Sequence, residues 1–356
     1  MPGSTARPTG GRRASRHPRL PATGRAWHLV RRPHGWPVPE DFALREVPVA
    51  APAEGRVLVR NRHFSVDPYM RGRMNDARSY VPPFRLDHPM DGAAVGEVVA
   101  SATDAFAPGD LVLHDLGWRE YAELPAAAAT RVDTTLAPLP AYLGVLGVTG
   151  FTAYVGLLEI ASFTPGDAVF VSGAAGAVGS VAGQIARIKG ASRVIGSAGS
   201  DDKTRLLTDE YGFDAAFNYK HGGTVAEQLA EAAPNGIDVY FDNVGGDHLE
   251  AAIDRLKVHG RVTLCGMIAQ YNAVEPPPAP RNLSLAIGKR LRLQGMIILD
   301  HAASRPRFVE EVSGWIRSGE LKYHETFVTG IEHGVDAFLG MLRGENTGKM
   351  IVSLDD

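Results

Sequence analysis

Twenty-four residues constrain this chain more than any others: Asp167 to Gly190, DAVFVSGAAGAVGSVAGQIARIKG. The apolar run Ala168 to Val171 is bounded by Pro165-Gly166 and Gly173, the pattern of a strand buried on both faces. Gly173, Gly176 and Gly179 follow at three-residue spacing. Behind them Val178, Val181, Ala182, Ile185 and Ile188 recur with helical period, so the segment continues as a helix with one apolar face. Strand, glycine turn and helix together make a cradle for a pyrophosphate. Small residues admit the anion close to the backbone, and the free N–H groups of the first helical turn point at it. Glycines alone mark ordinary turns, but the flanking strand and helix supply the context this motif needs. The stretch reads as a dinucleotide site.

With 356 residues the chain can bury a large core, and two domains are expected. Hydrophobic content of 44% and charged content of 22% fit a globular protein. A formal net charge of −3 gives no electrostatic reason to expect a nucleic-acid partner. Cys265 is the one cysteine, which excludes a disulfide within the chain and a zinc site of clustered thiolates. Its place after Val262-Thr263-Leu264 reads as a buried, inert thiol at a strand end. The uncharged stretch Thr134 to Leu158 has the length of a membrane span. Its prolines and glycines make a buried helix between two domains the better reading, and no membrane partner is expected.

Residues 1–25 carry six arginines, no acidic residue, and many prolines and glycines, and read as a disordered tail. The tail lacks the apolar core of a secretory signal, and its prolines and glycines oppose the amphipathic helix of a transit peptide. A cytoplasmic location is expected. From Arg25 to about Gly147, short apolar runs such as 56–60, 94–100 and 110–114 alternate with turn residues and predict a mostly antiparallel β domain. The Asp67-Pro68 pair marks a turn and makes Tyr69 and Arg71 candidates for a loop facing the other domain.

Past residue 150 strand and helix alternate, as in a doubly wound parallel α/β sheet. Strands are predicted at 168–171, 193–196, 215–218, 237–241, 261–265 and 291–298, with a helix over 201–211 capped by Ser200 or Asp201. Ligands of such sheets bind beyond the carboxyl ends of the strands, which points to Asn243, to 265–271 and to 296–298. A helix from Arg305 to about Ser318, a strand near 323–328, a helix over 334–342 and a last strand after Asn346-Thr-Gly-Lys349 return the chain to the first domain. The end of the second strand, Gly196-Ser-Ala-Gly-Ser200, lacks the acid that binds an NAD ribose. Asp201 and Asp202 suit the start of the next helix instead. Lys203 either reaches the ribose as a cation or lies solvated on that helix. A missing carboxylate and an available lysine favour NADPH over NADH, and Tyr219 is placed to pack beside the adenosine.

Several phrases carry a family likeness: Ser65 to Arg71, Gly117-Trp-Arg-Glu-Tyr121, Gly150-Phe-Thr-Ala-Tyr154, the motif at 174–179, Phe241-Asp-Asn-Val-Gly-Gly246, Cys265-Gly-Met-Ile268 and Tyr271-Asn272. The chain resembles the medium-chain dehydrogenase/reductase superfamily. More narrowly it resembles the zinc-free branch of prostaglandin reductases (leukotriene B4 12-hydroxydehydrogenases), plant alkenal double-bond reductases and bacterial curcumin reductases. The likeness runs from about Arg25 to Ile351. It implies a GroES-like domain over 26–147 and 320–356 beside a Rossmann domain over 148–319, and a homodimer formed through the edge of the Rossmann sheet. It also implies NADPH-dependent reduction of the carbon–carbon double bond in α,β-unsaturated ketones and aldehydes. The resemblance assigns cofactor contacts to Gly176, Ala177, Val178, Gly179, Lys203, Tyr219, Asn243, Cys265, Gly266, Met267, Ile268, Tyr271, Met296, Ile297, Ile298 and Asn346. Two departures stand out. Gly147-Val-Thr-Gly150 occupies a place where relatives often have a proline, and Met90-Asp-Gly-Ala-Ala94 replaces the zinc-binding His-Glu pattern, so no metal is expected.

Reduction of an enone needs a donor aimed at charge that appears only in the transition state. Tyr271 is the candidate, because a phenol is neutral at pH 7 and donates without prior ionisation. Tyr69 is the candidate for the opposite wall or a shared role. Either could instead pack as an aromatic against cofactor or substrate. Quinone reduction with the same cofactor and a nucleotide-binding module without turnover are the competing readings. Tyr271 together with the Cys265-Gly-Met-Ile run favours catalysis.

Overall fold

A computed structural model describes residues 20–354, so most of the arginine-rich segment expected to be disordered lies outside the described residues. Its end does not: Thr23–Leu29 form strand β1, which pairs antiparallel with β2 (Phe42–Pro48) and takes Arg25 into a sheet. β3 (Arg56–Ser65), β4 (Ala94–Ser101), β5 (Leu111–His114), β6 (Tyr121–Pro125) and β7 (Thr130–Arg131) build the main antiparallel sheet around β3. Val57, Val59, Val98, Val112 and Leu124 form the buried core of this region, as the apolar runs predict. The Asp67-Pro68 turn leads into a short helix, Tyr69–Arg73, rather than an open loop. Pro68 permits this because its fixed φ suits a helix start.

The chain then crosses to a second sheet. One buried helix was expected over 134–158. The structure breaks it into a 3-10 turn Leu139–Leu143, an α-helix Val148–Val155 and a π-turn Gly156–Ile160. Pro138 and Pro140 open the first piece, and at Gly150 the backbone runs so close to the Val145 carbonyl that no Cβ would fit. This segment packs between the sheets, where Phe151 and Tyr154 share a core with Val95, Ile351 and Phe308.

The second sheet is all parallel: β8 (Ala168–Val171), β9 (Arg193–Ala198), β10 (Ala215–Asn218), β11 (Ile237–Asp242), β12 (Leu256–Leu264) and β13 (Arg292–Gly295). Its order is β10-β9-β8-β11-β12-β13, so the topological switch point lies between β8 and β11. β12 ends at Leu264 and β13 at Gly295. Cys265 and residues 296–298 therefore belong to loops at the carboxyl ends rather than to the strands. The helix after β9 is Asp201–Asp209, two residues shorter than predicted, and Ser200 caps it by accepting from the Lys203 N–H. Helices Arg305–Ser318 and Gly334–Leu342 fall where the sequence puts them. β14 (Glu325–Thr329) and β15 (Lys349–Ser353) run parallel to each other and extend the first sheet through β3. Among the described residues no helix is long and apolar enough to cross a membrane.

Glu325 faces Lys349 across the β14–β15 ladder, and its Oε1 is buried without a hydrogen-bond partner. Burial pushes its carboxyl up to about 7 against the pull of Lys349. A carboxyl raised in the fold contributes stability below its unfolded value of 4.5, and that contribution is lost as pH rises through about 7. Glu325→Gln removes the titration. Its Tm should match wild type near pH 5 and exceed it near pH 8 in thermal melts. A gap that stays constant across that range contradicts the buried-acid account.

Candidate active site

The turn after β8 leaves the sheet at the switch point and enters the helix Gly179–Ile188. Gly173 holds φ of 58°, and a Cβ on Gly179 would lie 2.5 Å from the Gly173 oxygen and 2.8 Å from Ala174 Cα. The helix start is thus drawn down onto the turn, leaving Gly176, Ala177 and Val178 partly open. The turn is thus open to an anion at residues 176–178. The end of the chain closes its side. The Gly348 N–H donates to the Ala175 carbonyl at 2.8 Å, Gly176 and Gly348 form a bridge, and Asn346 Nδ2 donates to the Gly348 oxygen at 2.7 Å. Gly348 is obligatory there: its φ is 64°, and a Cβ would drive into the His324 carbonyl.

At the end of β9 the acids are committed elsewhere. Asp201 accepts from Asn218 Nδ2 at 2.8 Å, Asp202 pairs with Arg205, and Glu345 pairs with Arg343 at 2.6 Å. Lys203 Nζ donates to the Gly344 carbonyl at 2.6 Å. Burial, and then the charge of Lys220, hold this amine below the usual lysine range. Lys220 carries no motif of its own, but it follows Tyr219 directly. Its Cε comes within 3.2 Å of the position of a Gly199 Cβ, and the Tyr219 hydroxyl within 2.9 Å of the same point. Tyr219 is exposed and sets its ring edge to His248, with centroids 5.2 Å apart. A cleft of about 600 Å³ opens beside Ser200, Lys203, Arg205, His324 and Thr347, and Asp202, Asp209, Glu210 and Glu345 share its wall. Two converging ammonium groups can hold a 2′-phosphate, and without one they only repel each other.

Beyond β11, Asn243 donates from Nδ2 to the Ser172 carbonyl at 2.8 Å and from its N–H to Ser172 Oγ at 3.0 Å. The Cys265 and Gly266 N–H groups both reach the Asp242 carbonyl at 3.0 Å. Burial pushes the Cys265 thiol up to about 12, so it stays protonated, as an inert thiol should. Met267 and Ile268 carry the loop back toward Tyr271. The Tyr271 oxygen accepts from the Met267 N–H at 3.2 Å, and burial raises its pKa. That phenol keeps its proton, and among the described residues no acceptor takes it. Met296 Sδ comes within 3.1 Å of the position of a Gly156 Cβ, at the π-turn, and Ile297 continues extended into the 3-10 turn that begins at Ile298.

The opposite wall comes from the first sheet. Arg71 Nε reaches across to Asn272 Oδ1 at 3.1 Å. Tyr69 has its pKa raised by burial and then by Asp67, and no hydrogen bond joins it to Tyr271. Tyr80 is a residue that nothing in the sequence pattern singles out. Burial raises its pKa and Cys265 adds to that, its own charge bears on the Tyr271 phenol, and Asp67 and Arg73 act on it as they do on Tyr69. Tyr80 is largely exposed, and the Arg71–Asn272 bond joins the Tyr69 helix to the Tyr271 loop.

A parallel sheet of this order, with a glycine turn at its switch point, defines a Rossmann-type nucleotide-binding protein. The family described as the N-terminal domain of oxidoreductase matches residues 25–132, and the family described as zinc-binding dehydrogenase matches residues 177–314. A putative NADP-dependent oxidoreductase of Bacillus subtilis (strain 168) is 46% identical over 330 residues, covering 92% of this chain and 97% of that protein. The NADPH-dependent curcumin reductase of Escherichia coli (strain K12) is 41% identical over 333 residues, covering 92% of this chain and 96% of that one. The crystal structure of CurA from Vibrio vulnificus in complex with NADPH superposes with a TM-score of 0.88 at 41% identity, covering 93% of this chain and 99% of that chain. The chain belongs to the medium-chain dehydrogenase/reductase superfamily, in the branch of the curcumin, alkenal and prostaglandin reductases. Among the described residues no group of three or more His, Cys, Asp or Glu side chains is placed to hold a metal.

Lys203→Ala should raise KM for NADPH by about tenfold to a hundredfold, the loss of one charge-assisted hydrogen bond, and leave KM for NADH nearly unchanged. Steady-state kinetics with both nucleotides checks this. An equal rise for both contradicts a role at the 2′-phosphate.

Proposed function

We propose that this chain reduces the carbon–carbon double bond of α,β-unsaturated ketones and aldehydes, using NADPH. The placement of Tyr271 carries the reading: its oxygen accepts from the Met267 N–H, and the phenol makes no other hydrogen bond among the described residues. NADPH, when bound, supplies the hydride that forms a bond to the β-carbon. As that bond forms, the double-bond pair moves toward the carbonyl and negative charge collects on its oxygen. A Tyr271 O–H aimed at that oxygen gains strength only as the charge develops, which is what lowers the barrier. The α-carbon then takes a proton from Tyr271 or from water, giving the saturated carbonyl compound.

The remaining residues divide the binding. The Gly176–Gly179 turn with Asn346 suits the pyrophosphate, Lys203 and Tyr219 the adenosine phosphate, and Asn243, residues 265–268 and residues 296–298 the nicotinamide end. Tyr69 and Tyr80 hold the substrate against Tyr271. The walls correspond to a substrate domain over 26–147 and 320–356 and a cofactor domain over 148–319. A homodimer through β13 is part of the proposal. That strand is the sheet edge, and Leu285, Leu299 and Ile287, the last 82% exposed, stand beside it in sequence.

NADPH oxidation with a panel of enones, saturated ketones and quinones tests the reading. Turnover of enones alone, with the saturated ketone as product, is expected, and turnover confined to quinones contradicts it. Tyr271→Phe should lower kcat about a hundredfold to a thousandfold, as loss of one donor to a developing oxyanion does. NADPH affinity should be retained, and unchanged turnover removes Tyr271 from the chemistry.

A further inference from the structure

Arg71 is 3% exposed, yet no carboxylate lies within ion-pair distance of its guanidinium. A buried cation without a partner is costly unless its donors are satisfied. Here they are spent on neutral acceptors. Nη2 and Nε donate to the Gly35 carbonyl at 2.7 and 3.3 Å, Nη1 to Asn75 Oδ1 at 2.7 Å, and Nε to Asn272 Oδ1 at 3.1 Å. Asp41, the acid that bears on it, is already bound to Arg31 and to the Val38 N–H. Coulombic pairing therefore does not explain why an arginine is buried at this point.

The acceptors do. Asn272 follows Tyr271 directly. Asn75 opens the segment that leads to Tyr80. Gly35 packs against residues 272–274, with Val274 Cγ2 3.2 Å from the position of its Cβ. Arg71 itself lies in the same short helix as Tyr69. We infer that Arg71 is a positioning residue for the reduction, tying the helix that carries Tyr69 and the Asn75 segment after it to the loop that carries Tyr271. The role of those phenols rests on the enone reading, whereas the tie itself does not. A planar five-donor fork reaches three separated acceptors, which a lysine ammonium on a flexible stem does not.

Three variants test this: Arg71→Met, Arg71→Lys and Asn272→Ala, the last cutting only the tie to the Tyr271 loop. Arg71→Met should lower kcat for an enone about tenfold to a hundredfold, as misplacement of catalytic groups by about 1 Å does. NADPH affinity should stay within about threefold of wild type, Arg71→Lys should recover little, and Asn272→Ala added to Arg71→Met should cost nothing more. Amide hydrogen exchange should quicken together in 33–37, 74–82 and 268–275 and stay unchanged in the parallel sheet. Exchange that quickens only around residue 71, or losses from Arg71→Met and Asn272→Ala that add, overturns the inference. If Arg71→Met does not fold, Asn272→Ala and Asn75→Ala give the same readouts one tie at a time. A wild-type enzyme inert toward enones removes the functional reading, and the exchange pattern still decides the tie.

Discussion

The carboxylate of Asp242, wholly buried at the end of β11, holds the ends of three neighbouring strands together. Its Oδ1 accepts from the Tyr240 hydroxyl at 2.7 Å and from the Gly245 and Val244 N–H groups at 2.8 and 2.9 Å. The Ser172 hydroxyl at the end of β8 completes the cluster, 2.9 Å from the Tyr240 oxygen. The Asp242 backbone carbonyl takes the first two N–H groups beyond β12, those of Cys265 and Gly266. Burial raises the acid's pKa even against these donors, and Oδ2 finds no partner. Such a group is expensive to bury and strongly destabilising to break once buried. The position of Asn243, of the 265–268 loop and hence of Tyr271 follows from it.

A second dependence runs through the six residues 344–349. Gly344 receives Lys203, Gly348 closes the glycine turn, and Lys349, 4% exposed, donates to the Val66 carbonyl and Asp67 Oδ1, both at 2.9 Å. Val66 and Asp67 lead into the Tyr69 helix. One stretch of backbone therefore touches Lys203, the glycine turn after β8 and the segment before the Tyr69 helix. Gly348 is where the close approach occurs, which is why the sheet extension through β15 is tied so tightly to the other sheet.

What the sequence shows is what is set locally. The strand-turn-helix at 168–188, the Ser200 cap and the absence of a ribose-binding acid follow from period, capping and charge within a few residues of one another. That Asn243, Cys265 and Met296 stand just beyond the carboxyl ends of strands was legible from the apolar runs before them. The break in the 139–160 helix was not, since it comes from approach of the backbone to itself at Gly150. The Tyr69 helix, Lys220 and Tyr80 were missed for a related reason. Their significance lies in neighbours brought close only by folding, as with Arg71, whose acceptors stand 36 and 201 residues away.

Hydride delivery to the β-carbon rather than to the carbonyl carbon is the central claim, and isotope placement tests it most directly. Reduction of an enone with NADPH deuterated at the transferred position, followed by NMR of the product, locates the transferred atom. A saturated ketone with deuterium on the β-carbon alone is the result expected. Deuterium on the carbinol carbon of an allylic alcohol would mean carbonyl reduction, and would contradict the assignment of Tyr271 to an enolate oxygen.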